Sequence, residues 1–181
     1  MIDPVKLIEK YYSPNSPAFD ILTRHSRMVA LKALDIAKRL SHLRPDFEFI
    51  EEAAMLHDIG IFMTNEPAID CHGDRPYVCH GYLGRELLES EGLPGHGLVC
   101  ERHVGVGISV GDIESHGLPL PKRDMLPVTL EEKIICFADK FFSKKPNALE
   151  REKDVMEVKR QILRYGEDKL ARFKEMESLF Q

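Results

Sequence analysis

The chain has 181 residues, 43% of them hydrophobic, and a formal net charge of −5, which suits one globular domain with a substantial core rather than a disulfide-held miniprotein. Its lysines and arginines are scattered, which argues against a nucleic-acid polymer or a membrane surface as partner. Met1-Ile2-Asp3-Pro4-Val5-Lys6 lacks the start of a signal peptide, and no apolar run reaches the ~18–20 residues of a membrane span, so a cytoplasmic protein is expected.

Residues 3–12 read as an opening helix with Asp3 as N-cap and Pro4 in the first turn. Ser13-Pro14-Asn15-Ser16-Pro17 breaks it, and Ser16 starts a longer helix to about Leu40. There Ala18, Leu22, His25, Val29, Ala33, Ile36 and Leu40 form one core-facing stripe, interrupted by His25. Arg24, Arg27, Lys32, Lys38 and Arg39 fall on the other faces and read as solvated charge. Residues 41–45 form a connection. In the next helix Phe47, Ile50, Ala54, His57 and Ile61 recur at helical spacing, with Asp58 beside His57 and a stop near Gly60. A buried histidine-aspartate pair needs compensation, because unpaired polar burial costs roughly 2–7 kcal/mol on transfer scales. Hydrogen bonds or a cation can supply it.

Residues 62–79 have no sustained period and read as a long loop, a candidate lid. His80, Leu83, Leu87 and Leu88 begin another amphipathic helix that stops at Glu91-Gly92. Pro94 to about Val104 is a short helix with Val99 and His103 inward. Cys100 and His103 share a CxxH spacing without a second pair, so Cys100 reads as a small core residue. Cys71, Cys79, Cys100 and Cys136 all read as free thiols. Residues 105–127, rich in glycine and proline, are expected to be irregular. Thr129-Leu130-Glu131-Glu132 is a capping box opening a helix with Ile135, Asp139 and Phe142 on one stripe, ended by Lys144-Lys145-Pro146-Asn147. The remainder, about 148–181, reads as charged amphipathic helices broken at Gly166, with Val155, Val158, Ile162, Leu170, Phe173, Met176 and Leu179 inward.

Six metal-competent side chains therefore sit on five helical segments: His25, His57, Asp58, His80, His103 and Asp139. One such histidine is ordinarily a satisfied core residue, but a shared cation explains all of them together. Imidazoles and carboxylates without thiolates suit iron, manganese, zinc, nickel, cobalt or magnesium rather than a structural zinc cage. The number of donors suffices for two ions joined by a carboxylate.

The order of these residues resembles the HD-domain superfamily of metal-dependent phosphohydrolases: a first histidine (His25), the pair in Leu56-His57-Asp58-Ile59-Gly60, and a distant aspartate in Phe137-Ala138-Asp139-Lys140. The resemblance spans about residues 18–143, with C-terminal helices over about 147–180, and it implies an all-α, single-domain bundle over 1–181. His80 and His103 resemble the additional histidines of two-metal members. In that subset Asp58 bridges the ions, His25, His57 and Asp139 hold one, and His80 and His103 hold the other, with iron or manganese favoured. Arg102-His103-Val104-Gly105-Val106-Gly107 is similar to small single-domain members. His80-Gly81-Tyr82-Leu83 lacks the Gly-Tyr-Pro signature of the cyclic-dinucleotide phosphodiesterases.

The resemblance implies hydrolysis of a small phosphorylated, nucleotide-like substrate by a metal-activated water, with Asp58 also a candidate proton acceptor. Arg102 and Lys140, next to ligands, are candidate phosphate contacts, as are Lys122 and Arg123, although the surface reading stands beside each. His72 is a candidate proton donor, and His42, His96 and His116 are expected at the surface. Two other readings share the ligand set: a di-iron oxygenase cleaving a C–H or C–P bond, and a nucleotide-binding regulatory module. A homodimer through the C-terminal helices is a further expectation.

Overall fold

The structure, a computed structural model, describes residues 2–180, so the outermost positions of the 1–181 span lie outside the described residues. Most of its helices begin at a side-chain cap. Asp3 accepts from Lys6 N to start α1 (Pro4–Glu9), and Ser16 Oγ accepts from Phe19 N to start α2 (Pro17–Arg39). Asp46 caps α3 (Phe47–Leu56), which is followed by α4 (His80–Ser90) and α5 (Pro94–Arg102). Ser109 caps α6 (Val110–His116), and Thr129 caps α7 (Leu130–Asp139). Asp154 caps α8 (Val155–Leu163), and Gly166, at φ 135°, turns the chain into α9 (Glu167–Leu179).

The fold is all-α. Its strands are two-residue pieces, β1 (Asn65–Glu66) and β2 (Cys71–His72), paired antiparallel. The buried stripe of α2 packs on α3 and α7, with Val29, Ala33, Ile36, Ile50, Ile134 and Ile135 in one core. That core extends into α9, where Phe137 stacks on Phe173 with ring centroids 4.8 Å apart and meets Phe180 edge-on. A second core joins α1 and the first half of α2 to the turn after α3, through Ile8, Leu22, Leu56, Ile59 and Ile61.

Gly60 sets how closely that turn approaches α4. A Cβ there would overlap His80 O and lie 2.6 Å from Gly84 N, so only glycine lets the chain after His57 and Asp58 rest on the first turn of α4.

Several expectations are corrected. The helix carrying His57 stops at Leu56, so His57 is its cap and Asp58 lies in the following turn. The first helix ends at Glu9 rather than at residue 12. Residues 62–79 form 3-10 turns around the β1–β2 hairpin instead of an open loop, and 105–127 contain α6, closed by the reciprocal capping box of Ser109 and Asp112. Phe47 and Leu179 are exposed, and Phe180 takes the inward place expected of Leu179. Lys32 is mostly covered, lying over the Phe141 ring and pairing with Glu152. All four cysteines are free and buried, and Cys100 Sγ donates to Leu56 O in the core.

Candidate metal centre

Helix ends place three of the four imidazoles that surround Asp58. His57 caps α3, His80 begins α4, and His103 caps α5. Each sets its Nδ1 against the carbonyl three residues earlier: Ala54 at 2.6 Å, Tyr77 at 2.6 Å and Cys100 at 2.7 Å. A carbonyl only accepts, so each ring donates from Nδ1 and turns Nε2 inward, where a neutral ring carries its lone pair. His25 reaches the same point from the middle of α2, with Nε2 3.0 Å from Asp139 Oδ1 and 3.3 Å from Asp58 Oδ2.

The inward atoms form two groups that share Asp58. His25, His57, Asp58 and Asp139 make the first and Asp58, His80 and His103 the second, and within each group the donor atoms lie within 4.8 Å of one another. Asp58 Oδ2 is 3.0 Å from His57 Nε2, while Oδ1 is 3.3 Å from both His80 Nε2 and His103 Nε2. Asp58 is fully buried. Among the described residues, His57 Nε2 and both Asp58 oxygens make no hydrogen bond of good geometry, although Lys144 Nζ lies 2.7 Å from Oδ2. Buried donors that converge without hydrogen-bond partners fit a bound cation, and this set of imidazoles and carboxylates suits a divalent one.

The charged groups of the centre compensate one another. Burial works to raise the Asp58 and Asp139 carboxyls, yet His57 and Lys144 around the first, and Lys140 and Lys144 around the second, hold both well below the usual range. Burial also works against the His57 imidazolium, but the two aspartates outweigh it and lift His57 to about 9. Burial pushes His103 down and His80 down to about 3, leaving these two rings neutral.

Beside the donors opens a cavity of about 560 Å³ that His80, His103, Asp139, Lys140, Lys144 and Lys153 help to line. Lys140 pairs with Asp139 at 2.6 Å and donates to His103 O. The other candidates are placed elsewhere. Both oxygens of Glu132 hold Arg102, and Glu101 holds Arg123, so neither arginine lines the cavity. Lys122 pairs with Glu114 on the surface, and His72 stands exposed on β2 beside Asp70, also outside the cavity lining. His42 is exposed, as expected. His96 is not: it is buried against Glu52 and Phe49. His116 is exposed but lines the cavity.

Sequence reasoning missed Lys144 and Tyr77. Burial opposes the Lys144 ammonium, but Asp58, Tyr77 and Asp139 together hold its pKa well above the usual lysine value. Burial pushes the Tyr77 phenol up to about 12. In sequence Lys144 is one of two adjacent lysines after a helix, and only the fold turns it inward while Lys145 stays exposed.

Fold and site together define an all-α protein with a buried histidine-aspartate centre suited to divalent metal. The chain belongs to the HD domain family, whose sequence pattern matches residues 22–143. It is 40% identical over 95 residues to the uncharacterized protein MJ0778 of Methanocaldococcus jannaschii, covering 52% of this chain and 48% of that one. It is also similar to two proteins named tRNA (cytidine(56)-2'-O)-methyltransferase. The one from Picrophilus torridus is 31% identical over 128 residues and the one from Thermoplasma volcanium 30% over 127, each match covering 70% of this chain and 33% of the relative. The chain thus spans between a third and a half of the length of these curated relatives. No solved structure matches it. An HD domain with this centre supports a metal-dependent, hydrolase-like function.

Proposed function

We propose that the protein is a metal-dependent phosphohydrolase acting on a phosphoester or phosphoanhydride of a small, nucleotide-like molecule. The observation that carries this reading is the shared carboxylate. Asp58 turns one oxygen to His25 and His57 and the other to His80 and His103, beside a cavity of small-molecule size. His25, His57, Asp58 and Asp139 would hold one ion, and Asp58, His80 and His103 the second. Iron or manganese suits these ligands, and such ions supply a hydroxide nucleophile near neutral pH and offset the charge on phosphoryl oxygens.

The chain's own groups do the rest. Neutral His80 and His103 stay available as ligands because burial keeps protons off them. Lys140 and Lys144, the cations beside Asp139 and Asp58, face the cavity and orient the phosphoryl group. Two relatives of this region are named for methylation of a tRNA cytidine, which favours a substrate from nucleotide chemistry.

The test pairs elemental analysis with phosphate release. Protein reconstituted with manganese, or with iron under argon, is offered nucleoside mono- and diphosphates and dinucleotides. Release of phosphate or a mononucleotide that stops with chelator is the expected result. Metal-replete protein that cleaves none of them overturns the reading, and substrate-dependent oxygen uptake by the iron form would put the oxidative reading in its place.

A further inference from the structure

The cavity is also lined by a segment outside the candidate metal ligands. Val158, Gln161, Ile162 and Tyr165 line it from α8 and the turn that follows, at the i, i+3, i+4, i+7 spacing of one helix face. This segment lies beyond residues 22–143, the part that matches the HD domain family. Val158 and Ile162 are buried, whereas Tyr165 is 79% exposed. Gly166, at φ 135°, fixes the turn that carries Tyr165 to the cavity. Gln161 is the one neutral amide on the stripe; its Nε2 donates to Glu157 Oε1 at 3.4 Å, which leaves a second N–H and the carbonyl oxygen to offer. Ile108 and Leu118 add aliphatic lining to the same cavity.

The cavity therefore joins two chemistries: lysines and ligand-type donors that attract an anion, and an apolar wall carrying one amide and one open aromatic face. We infer that the α8 wall is a subsite for a flat, uncharged heteroaromatic ring, with Tyr165 stacking on the ring and Gln161 bonding to its edge, so that the substrate is a mononucleotide rather than a sugar phosphate or an alkyl phosphate. A flat ring fits this wall better than an alkyl chain because stacking uses the exposed tyrosine face and the amide needs a polar edge to meet. The inference rests on the phosphohydrolase reading only for the anion at the cavity floor.

The test measures binding rather than turnover. Calorimetric titrations of manganese-loaded protein compare AMP and CMP with ribose 5-phosphate, which lacks the base, and with hexyl phosphate. The expected result is tighter binding of the mononucleotides than of either base-free probe by about tenfold or more, the contrast one stacked base gives. Tyr165→Ala and Gln161→Ala should each shrink that contrast and leave ribose 5-phosphate binding and manganese content as in the wild type. Equal affinity for AMP and ribose 5-phosphate, a preference for hexyl phosphate, or a contrast that survives both substitutions overturns the subsite. Mononucleotide binding with this contrast but without turnover keeps the subsite and rejects the hydrolase. Turnover without the contrast does the reverse.

Discussion

Asp58 has no substitute in this arrangement, because each of its oxygens faces a different pair of imidazole nitrogens, Oδ2 those of His25 and His57 and Oδ1 those of His80 and His103. Asp58→Ala should lower metal content from about two equivalents to fewer than one and abolish turnover, while His80→Ala should lose chiefly the second ion. Elemental analysis of the two variants side by side checks this, and full occupancy in both would remove the bridge. Lys144 tests a different property. Lys144→Met should keep the metal and reduce kcat/KM by about 10²–10³, the scale of losing one preorganised charge beside a reacting group; steady-state kinetics on protein of verified metal content give the answer. The six donors were legible in the sequence because histidine and aspartate are conspicuous on apolar stripes. Lys144 was not, since a lysine after a helix end looks the same whether the chain turns it outward or onto a buried carboxylate.

At the scale of elements, close approach and capping decide the geometry. Gly60→Ala forces a Cβ into His80 O and the start of α4, so it should cost about 1–3 kcal/mol, as overpacking does, and loosen His80 from Asp58. Denaturant unfolding together with metal content reads both effects, and an alanine variant with wild-type stability would refute the contact. A second case is α6, tied to α9 by the pair of Asp112 and Lys169. Burial works to raise the Asp112 carboxyl, but Lys169 and Ser109 outweigh it and hold it at about 2. Because the folded value lies below the ordinary one, this pair's contribution is complete above about pH 4 and lost as the pH falls toward 2. Asp112→Asn should lower stability by a constant amount above about pH 4 and remove the loss that the wild type shows between about pH 4 and 2, which denaturant unfolding at a series of pH values measures. Helix starts at Asp3, Ser16 and Thr129 were readable from their caps. At Thr129 the reciprocal half is displaced, with Glu132 accepting from Val128 N and holding Arg102. The brevity of α6 and the glycines and prolines around it hid the same chemistry at Ser109. His96 was misread because nothing local shows that Glu52 will meet it.

Over the whole molecule, the ligand-type donors come from separate helices and turns that only folding brings together. A cation held there binds the folded state alone, so saturating metal at 100 times its Kd should add about 2.7 kcal/mol to stability. Thermal unfolding with manganese and with chelator measures that difference, and an unchanged midpoint would show that the donors hold nothing. The separate helices could be read from period and capping, while the all-α bundle and the extent of the region around the centre followed from the resemblance to the HD-domain superfamily. The cavity could not, since it depends on where α8 and α9 return, and their sequence marks only an apolar face.

That return has a consequence for the order of synthesis. All six candidate ligands have been made once Asp139 is complete, whereas Val158, Gln161, Ile162 and Tyr165 are added afterwards. Arg172, which donates to Gly107 O and fastens the opposite side of the cavity to α9, comes later still. At the usual ~5–20 residues per second, the growing chain passes through an interval of seconds in which it owns every metal donor but no complete place for a substrate.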